Sequence, residues 1–105
     1  MTQREKPLPP DSAMPDLRAR IDALDARLVA LLAERTALID EAARIKAREA
    51  LPARIDSRVE EVAAHVRGLA QEHGIDAEMI EKVWRMMMDH FIAQEERQLG
   101  PDSDR

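Results

Sequence analysis

The sequence predicts an all-α fold, and three observations carry the prediction. Ala, Leu, Glu, Arg and Met dominate the chain, and all are good helix formers. Aromatic residues make up only 2% of the sequence and Gly occurs three times. Between Leu17 and Phe91 the apolar residues recur in steps of three and four, the period of one helix face. With 105 residues and 45% hydrophobic content, the chain has room for one modest domain and little surplus core. A partner chain is one way to complete such a core.

Residues 1–14 hold Pro7, Pro9 and Pro10 among polar residues, and residues 100–105 read "GPDSDR", so both ends are expected to be disordered tails around a domain at 15–99. From Pro15 and Asp16 to about Glu49 no Pro or Gly intervenes, and Leu17, Ile21, Leu24, Leu28, Leu31, Arg35, Leu38, Ala42 and Ile45 form one stripe. That is a single long amphipathic helix. Pro52 ends it, because Pro cannot continue a helix and pushes the preceding residue toward extended geometry. Ser57 with Glu60 predicts a capping box opening a second helix, whose inner face is Val59, Val62, Ala63, Val66, Leu69 and Ala70 and whose stop is Gly74. Asp76 is expected to cap a third helix running to about Leu99, with Ile80, Val83, Trp84, Met87, Met88 and Phe91 inward and Gly100-Pro101 as its stop. Met86, Met87 and Met88 with Trp84 read as core filling.

Charge and composition exclude several functions. A net charge of −5 argues against a nucleic-acid or anionic-membrane surface, which needs a basic patch. No run approaches the roughly 20 apolar residues that span a bilayer, and the N-terminus has no signal-like apolar segment. A cytoplasmic protein is the expectation. There is no cysteine, so neither disulfides nor thiolate metal sites are available. His65, His73 and His90 fall on different helical faces without a second ligand at metal spacing, so no metal site and no cofactor are expected.

Helix length bears on assembly. Roughly 33 residues at ~1.5 Å each give a first helix of ~50 Å, against a radius of gyration of ~13 Å for a compact domain of this size. The apolar stripe continues along the overhang, so a second copy is expected to cover it in a two-fold homodimer.

Two cations interrupt the stripe. Arg35 and Lys46 are eleven residues apart, a net rotation of about 20° on a helix, so they share a face. A seven-residue row of Arg18, Asp25, Leu32, Ile39 and Lys46 brings Arg18 to the same side, but ~42 Å from Lys46 along the axis. If two such helices pair antiparallel, Arg18 of one chain approaches Arg35 and Lys46 of the other. Buried cations cost several kcal/mol each unless carboxylates or an anionic ligand compensate them. The structural alternative is an ion pair with a glutamate on a neighbouring helix; Arg18 and Arg58 as further cations favour an anion site.

"LRARIDALDARLVALLAERTALIDEAARIK" resembles the first helix of the all-helical class of chorismate mutases, and the likeness continues through "LPARIDSRVEEV", "HGIDAEMIEKVW" and "FIAQEE", covering about residues 17–99. Isochorismate-pyruvate lyases share this fold. The resemblance implies an intertwined dimer of three-helix subunits with two active sites. Arg18 would reach a substrate carboxylate across the dimer, Arg35 would hold a carboxylate within its own chain, Lys46 would lie between a carboxylate and the substrate ether oxygen, and Arg58 would add to the cationic wall. The reaction that the resemblance implies is the pericyclic rearrangement of chorismate to prephenate. It needs only a folded substrate and stabilisation of charge growing on the ether oxygen.

Some positions depart from the family pattern. Glu95 stands where many members carry a hydrogen-bonding Gln, and an ionised Glu cannot donate. Glu95 is therefore expected to act protonated, burial favouring the neutral acid and Lys46 opposing it. Val59 replaces a Glu that meets the ring hydroxyl, Phe91 replaces a Ser, and Ile55 falls near an Asp position. The first two are nearer the lyase pattern, whereas the spacing from Lys46 to Arg58 fits the mutase. Mutase ranks first and lyase second. A non-catalytic helical dimerisation or adaptor module, its seam cations fixing register, is the reading of another class.

Overall fold

The structure, a computed structural model, describes residues 5–99. Three helices follow in order: α1 Met14–Arg48, α2 Asp56–His73 and α3 Ala77–Leu99. The all-α prediction and the element order hold. The expected stop at Gly100-Pro101 and the 100–105 tail lie outside the described residues, as does the very start of the 1–14 tail. The residues divide into two units, with the boundary between Ala37 and Leu38 inside α1.

The first unit consists of the chain up to Ala37 and is dominated by the leading part of α1. Its N-terminus is satisfied locally. The Oγ of Ser12 accepts the N–H of Met14 at 3.1 Å, and the Ala13 carbonyl accepts the N–H of Leu17 at 3.2 Å. No residue of α1 is buried. Leu17 is 42% exposed and Leu28 52%, so the apolar stripe read from the sequence exists as a helix face that this chain leaves uncovered within the unit. Leu17, Ile21 and Leu24 line an apolar groove there, flanked by Arg20 and Arg27.

The second unit holds the end of α1, the connection after it, and a hairpin of α2 and α3. Leu51 donates its N–H to the Lys46 carbonyl at 2.8 Å, and Ala50 donates to Ala47 at 3.4 Å. These two bonds satisfy the orphan carbonyls of the helix end in a Schellman arrangement. The reversal places Ala50 at φ 58°, a left-handed conformation that costs a residue with a Cβ about 1–2 kcal/mol. α2 ends in the same way with the residue chemistry suits: Gly74 sits at φ 72°, and Ile75 and Gly74 donate back to Ala70 and Gln71. As expected, Asp76 caps α3, its Oδ1 accepting the N–H groups of Glu78 and Met79 at 2.9 and 3.2 Å.

The Ser57–Glu60 capping box does not form. Helix α2 begins two residues earlier than that cap requires, at Asp56, with Ile55 at the cap and no side-chain cap bond. Glu60 is drawn away by Arg85 on α3, whose guanidinium grips both its oxygens at 3.1 and 2.8 Å. A bidentate charge-assisted pair outweighs a single neutral cap bond.

Val59, Ala63, Val66 and Ala70 are buried along α2 and Met88 along α3. Each buried valine contributes roughly 1.5–3 kcal/mol of transfer free energy, and the alanines between them let the helices approach. Two sequence expectations need correction. Leu69 is 40% exposed and Met86 65% exposed. Met86 precedes the buried Met88 by two residues, about 200° around the helix, so both cannot face one core. Leu69 likewise follows buried Val66 by three residues toward the solvent edge of the stripe.

Arg85 also donates from Nε to Glu81 at 2.7 Å, and Arg67 donates to Glu81 at 2.7 Å. The four residues cross-link the hairpin. Hydrogen bonds from Arg85 are the chief reason that the carboxyl groups of Glu60 and Glu81 lie below their ordinary value of 4.5. A carboxyl group whose folded value is depressed contributes stability above its unfolded value, and that contribution disappears as pH falls through the folded value. Arg85→Gln is therefore expected to lower Tm at about pH 7, with the gap from the unsubstituted protein narrowing at about pH 3. Thermal melts of both proteins at the two pH values measure this, and a gap that is the same or wider in acid would contradict it.

Candidate active site

The last turn of α1 carries Lys46 and the latter part of α3 carries Glu95. A cation at a helix C-terminus is favoured by the partial negative charge of the unsatisfied carbonyls. The Lys46 side chain is 20% exposed and that of Glu95 7%. The Lys46 ammonium donates to Oε1 of Glu95 at 3.0 Å and to the Ala53 carbonyl at 2.7 Å. Glu95 is the buried charged residue of the core, tolerable because it is paired and hydrogen-bonded. Of the three N–H groups of the ammonium, two are directed at these acceptors.

Ala53 reaches Lys46 because the Schellman turn at Ala50 and the rigid Pro52 fold the connection back under the helix end. Ala53 itself is 3% exposed. The next residue, Arg54, donates from Nε to Asp56 at 2.9 Å and from Nη1 to Asp89 of α3 at 3.2 Å.

The remaining sequence-derived residues are distributed as follows. Arg18 is exposed near the start of α1 and Arg35 is half-buried further along it, both in the first unit. Arg58 is exposed on the first turn of α2 and donates to Glu61 at 2.6 Å. The structure thus brings Lys46 and Glu95 into contact, with Arg58 in the same unit but paired along its own helix. Ile55 is half-buried at the α2 cap and Val59 is buried. Phe91 is half-buried with its ring edge-on to His90 at 5.0 Å. His65, His73 and His90 are all exposed.

A groove of about 510 Å³ lies between the end of α1 and α3, lined by Asp40, Arg44, Ala47, Gln94 and Glu95 among others. Two of those residues are acidic, and Lys46 is not in the lining. With Arg44 as its cation beside Asp40 and Glu95, the groove lining offers an anion no net positive charge. What Lys46 and Glu95 can do is limited and specific. The ammonium is a fixed positive charge, and a protonated Glu95 would be a second donor that no longer claims the lysine. Together they would present two donors to one oxygen that is gaining negative charge.

Sequence reasoning did not find Ala53 or the Arg54–Asp89 contact. A backbone carbonyl has no residue-type signal, and 35 residues separate Arg54 from Asp89. The one available hint was Arg54 beside Asp56 just after Pro52, the makings of a locally braced turn.

Comparison with known proteins adds the family. A model described as chorismate mutase type II matches residues 17–96. The chain is 27% identical over 84 residues to a chorismate mutase of Methanocaldococcus jannaschii, covering 80% of this chain and 85% of that protein. It is 35% identical to a T-protein of Haemophilus influenzae over 79% of this chain, and 30% identical to a bifunctional chorismate mutase/prephenate dehydratase of Enterobacter agglomerans over 79%. The chain spans most of the archaeal relative but only 22% and 21% of the two bacterial ones.

Proposed function

The chain belongs to the chorismate mutase type II family, and we propose that it converts chorismate to prephenate by preorganising the substrate and stabilising charge on its breaking ether bond. The observation that carries this reading is the Lys46 ammonium, set at the end of α1 between the Ala53 carbonyl and Glu95. Breaking the C–O bond moves electron density onto the ether oxygen, and a preorganised cation at hydrogen-bonding distance lowers that barrier without being altered itself. The reaction is intramolecular, so no nucleophile or proton shuttle is required, and holding the substrate in a reactive geometry supplies the rest. No cofactor takes part in this scheme.

Arg35 and Arg58 hold the substrate carboxylates with Lys46, and Arg18 comes from a second copy of the chain. The support for a homodimer is the uncovered apolar face of α1, with Leu17, Ile21, Leu24 and Leu28 all between 42% and 52% exposed. Such a continuous face on a soluble chain calls for a partner. Among the described residues no helix is long and apolar enough to cross a membrane, which fits an enzyme acting on a small, water-soluble dianion in the cytoplasm.

The test is to supply purified protein with chorismate and, separately, isochorismate, and to identify the products. Prephenate from chorismate is the expected result. Salicylate with pyruvate from isochorismate would replace the mutase by the lyase, which the apolar Val59 and Phe91 would then explain. Neither product, together with no rise in Tm on adding a stable dicarboxylate analogue of the substrate, would leave a non-catalytic dimerisation module, since a ligand that binds only the folded state must stabilise it.

A further inference from the structure

Lys46 is a long, flexible side chain, and its ammonium is useful only if it is held where charge develops. The Ala53 carbonyl at 2.7 Å is its shortest hydrogen-bond partner. That carbonyl belongs to a connection whose ends are anchored by backbone hydrogen bonds and whose middle is not. Leu51 is tied back to Lys46, and Arg58 and Val59 are tied to the Ile55 carbonyl. Between them Pro52 has no N–H to give, and among the described residues the N–H groups of Ala53 and Arg54 bond to no backbone carbonyl. The hydrogen-bonded attachment of this stretch to α3 runs through the Arg54 side chain, which spans from Asp56 at the start of α2 to Asp89 on α3, and Ala53 itself is buried. Asp89 lies six residues before Glu95 on the same helix. One rigid element thus sets both acceptors of the Lys46 ammonium, Glu95 directly and Ala53 by way of Arg54.

We propose that Arg54 is a positioning residue: clamped to Asp89, it fixes the Ala53 carbonyl and thereby the Lys46 ammonium. Without the clamp the connection relaxes, the carbonyl withdraws, and the ammonium settles on Glu95 alone, pulled from the position the ether oxygen requires. Arg54 meets no reacting atom. Its side chain is 42% exposed and that of Asp89 66%, so the pair is too well solvated to add much to stability. A function in positioning gives a reason for it that stability does not. The proposal deepens the mutase reading and rests on Lys46 serving that reaction.

Arg54→Gln and, independently, Asp89→Asn are the variants; the second changes one exposed carboxyl group to its isosteric amide, so folding is preserved. Each is expected to lower kcat for chorismate about tenfold, as a displaced catalytic group does, while KM changes less than threefold and Tm by only a few degrees. A second readout does not depend on turnover. The side-chain 15Nζ resonance of Lys46 reports its hydrogen bonding, and both variants should shift or broaden it without disturbing the other lysine signals. An unchanged kcat with an unchanged Lys46 signal overturns the proposal, as does a loss of kcat accompanied by an equal rise in KM or by general unfolding. If the unsubstituted protein makes no prephenate, the mutase reading fails, and the resonance still decides whether Arg54 positions Lys46.

Discussion

Lys46→Ala is expected to lower kcat/KM for chorismate by about 10²–10³-fold, the loss seen when one preorganised donor to a developing oxyanion is removed. The effect should fall chiefly on kcat, because the ether oxygen carries its extra charge in the transition state and not in the bound substrate. The variant also removes the partner of a carboxylate that is only 6% exposed. Leaving a buried charge unpaired costs several kcal/mol of stability, so a fall in activity could be confused with a fall in folded protein. The double variant Lys46→Met, Glu95→Gln separates the two. It replaces the buried pair by groups that need no counter-charge, so its Tm should recover toward that of the unsubstituted chain while activity stays lost. Steady-state kinetics and melting curves on the three proteins are sufficient. Substantial activity in the double variant would remove Lys46 from the mechanism.

How far such a site is legible in sequence depends on whether a residue declares itself by period or by tertiary position. The three helices were legible because their stripes follow a helical period and because Pro52, Gly74 and Asp76 act locally, through missing N–H groups, a left-handed φ and a cap. Lys46 was legible as a cation in an apolar stripe, and Glu95 as an acid sharing a face with Trp84, Met88 and Phe91. The capping box at Ser57 was misread because its Glu60 is recruited by Arg85, 25 residues away, and no local rule anticipates that competition. Met86 was misread by composition: three consecutive methionines cannot all face one side of a helix. Ala50 was passed over because an alanine in left-handed geometry is held there by the Leu51 and Ala50 bonds to the helix end, not by its own preference. The Ala53 carbonyl carries no residue-type signal at all. What the sequence left out is therefore backbone chemistry and long-range ion pairing, the two features that set the direction of the Lys46 ammonium.

The second large effect concerns pH. Prephenate formation is expected to decline as pH rises, and Glu95→Gln is expected to remove that decline. In the ligand-free chain Glu95 accepts from Lys46 at 3.0 Å, the arrangement of an ionised carboxylate with an ammonium. A dianionic substrate entering beside Lys46 changes the balance. The lysine can serve the ligand only by loosening its hold on Glu95, and we propose that the released acid then acts in its neutral form. In that form it would donate to the ether oxygen, as a glutamine amide would without any proton to lose. If the protonated acid is the donor, activity is present at low pH and falls as that form becomes the minority. Glutamine has no such titration, so Glu95→Gln should hold its rate across the same range and exceed the unsubstituted enzyme at the alkaline end. Measuring kcat and kcat/KM for both proteins from mildly acidic to mildly alkaline buffer, with folding checked at each pH, tests the role. Equal slopes in the two proteins would mean that Glu95 only neutralises Lys46, and that the lysine acts on the ether oxygen alone.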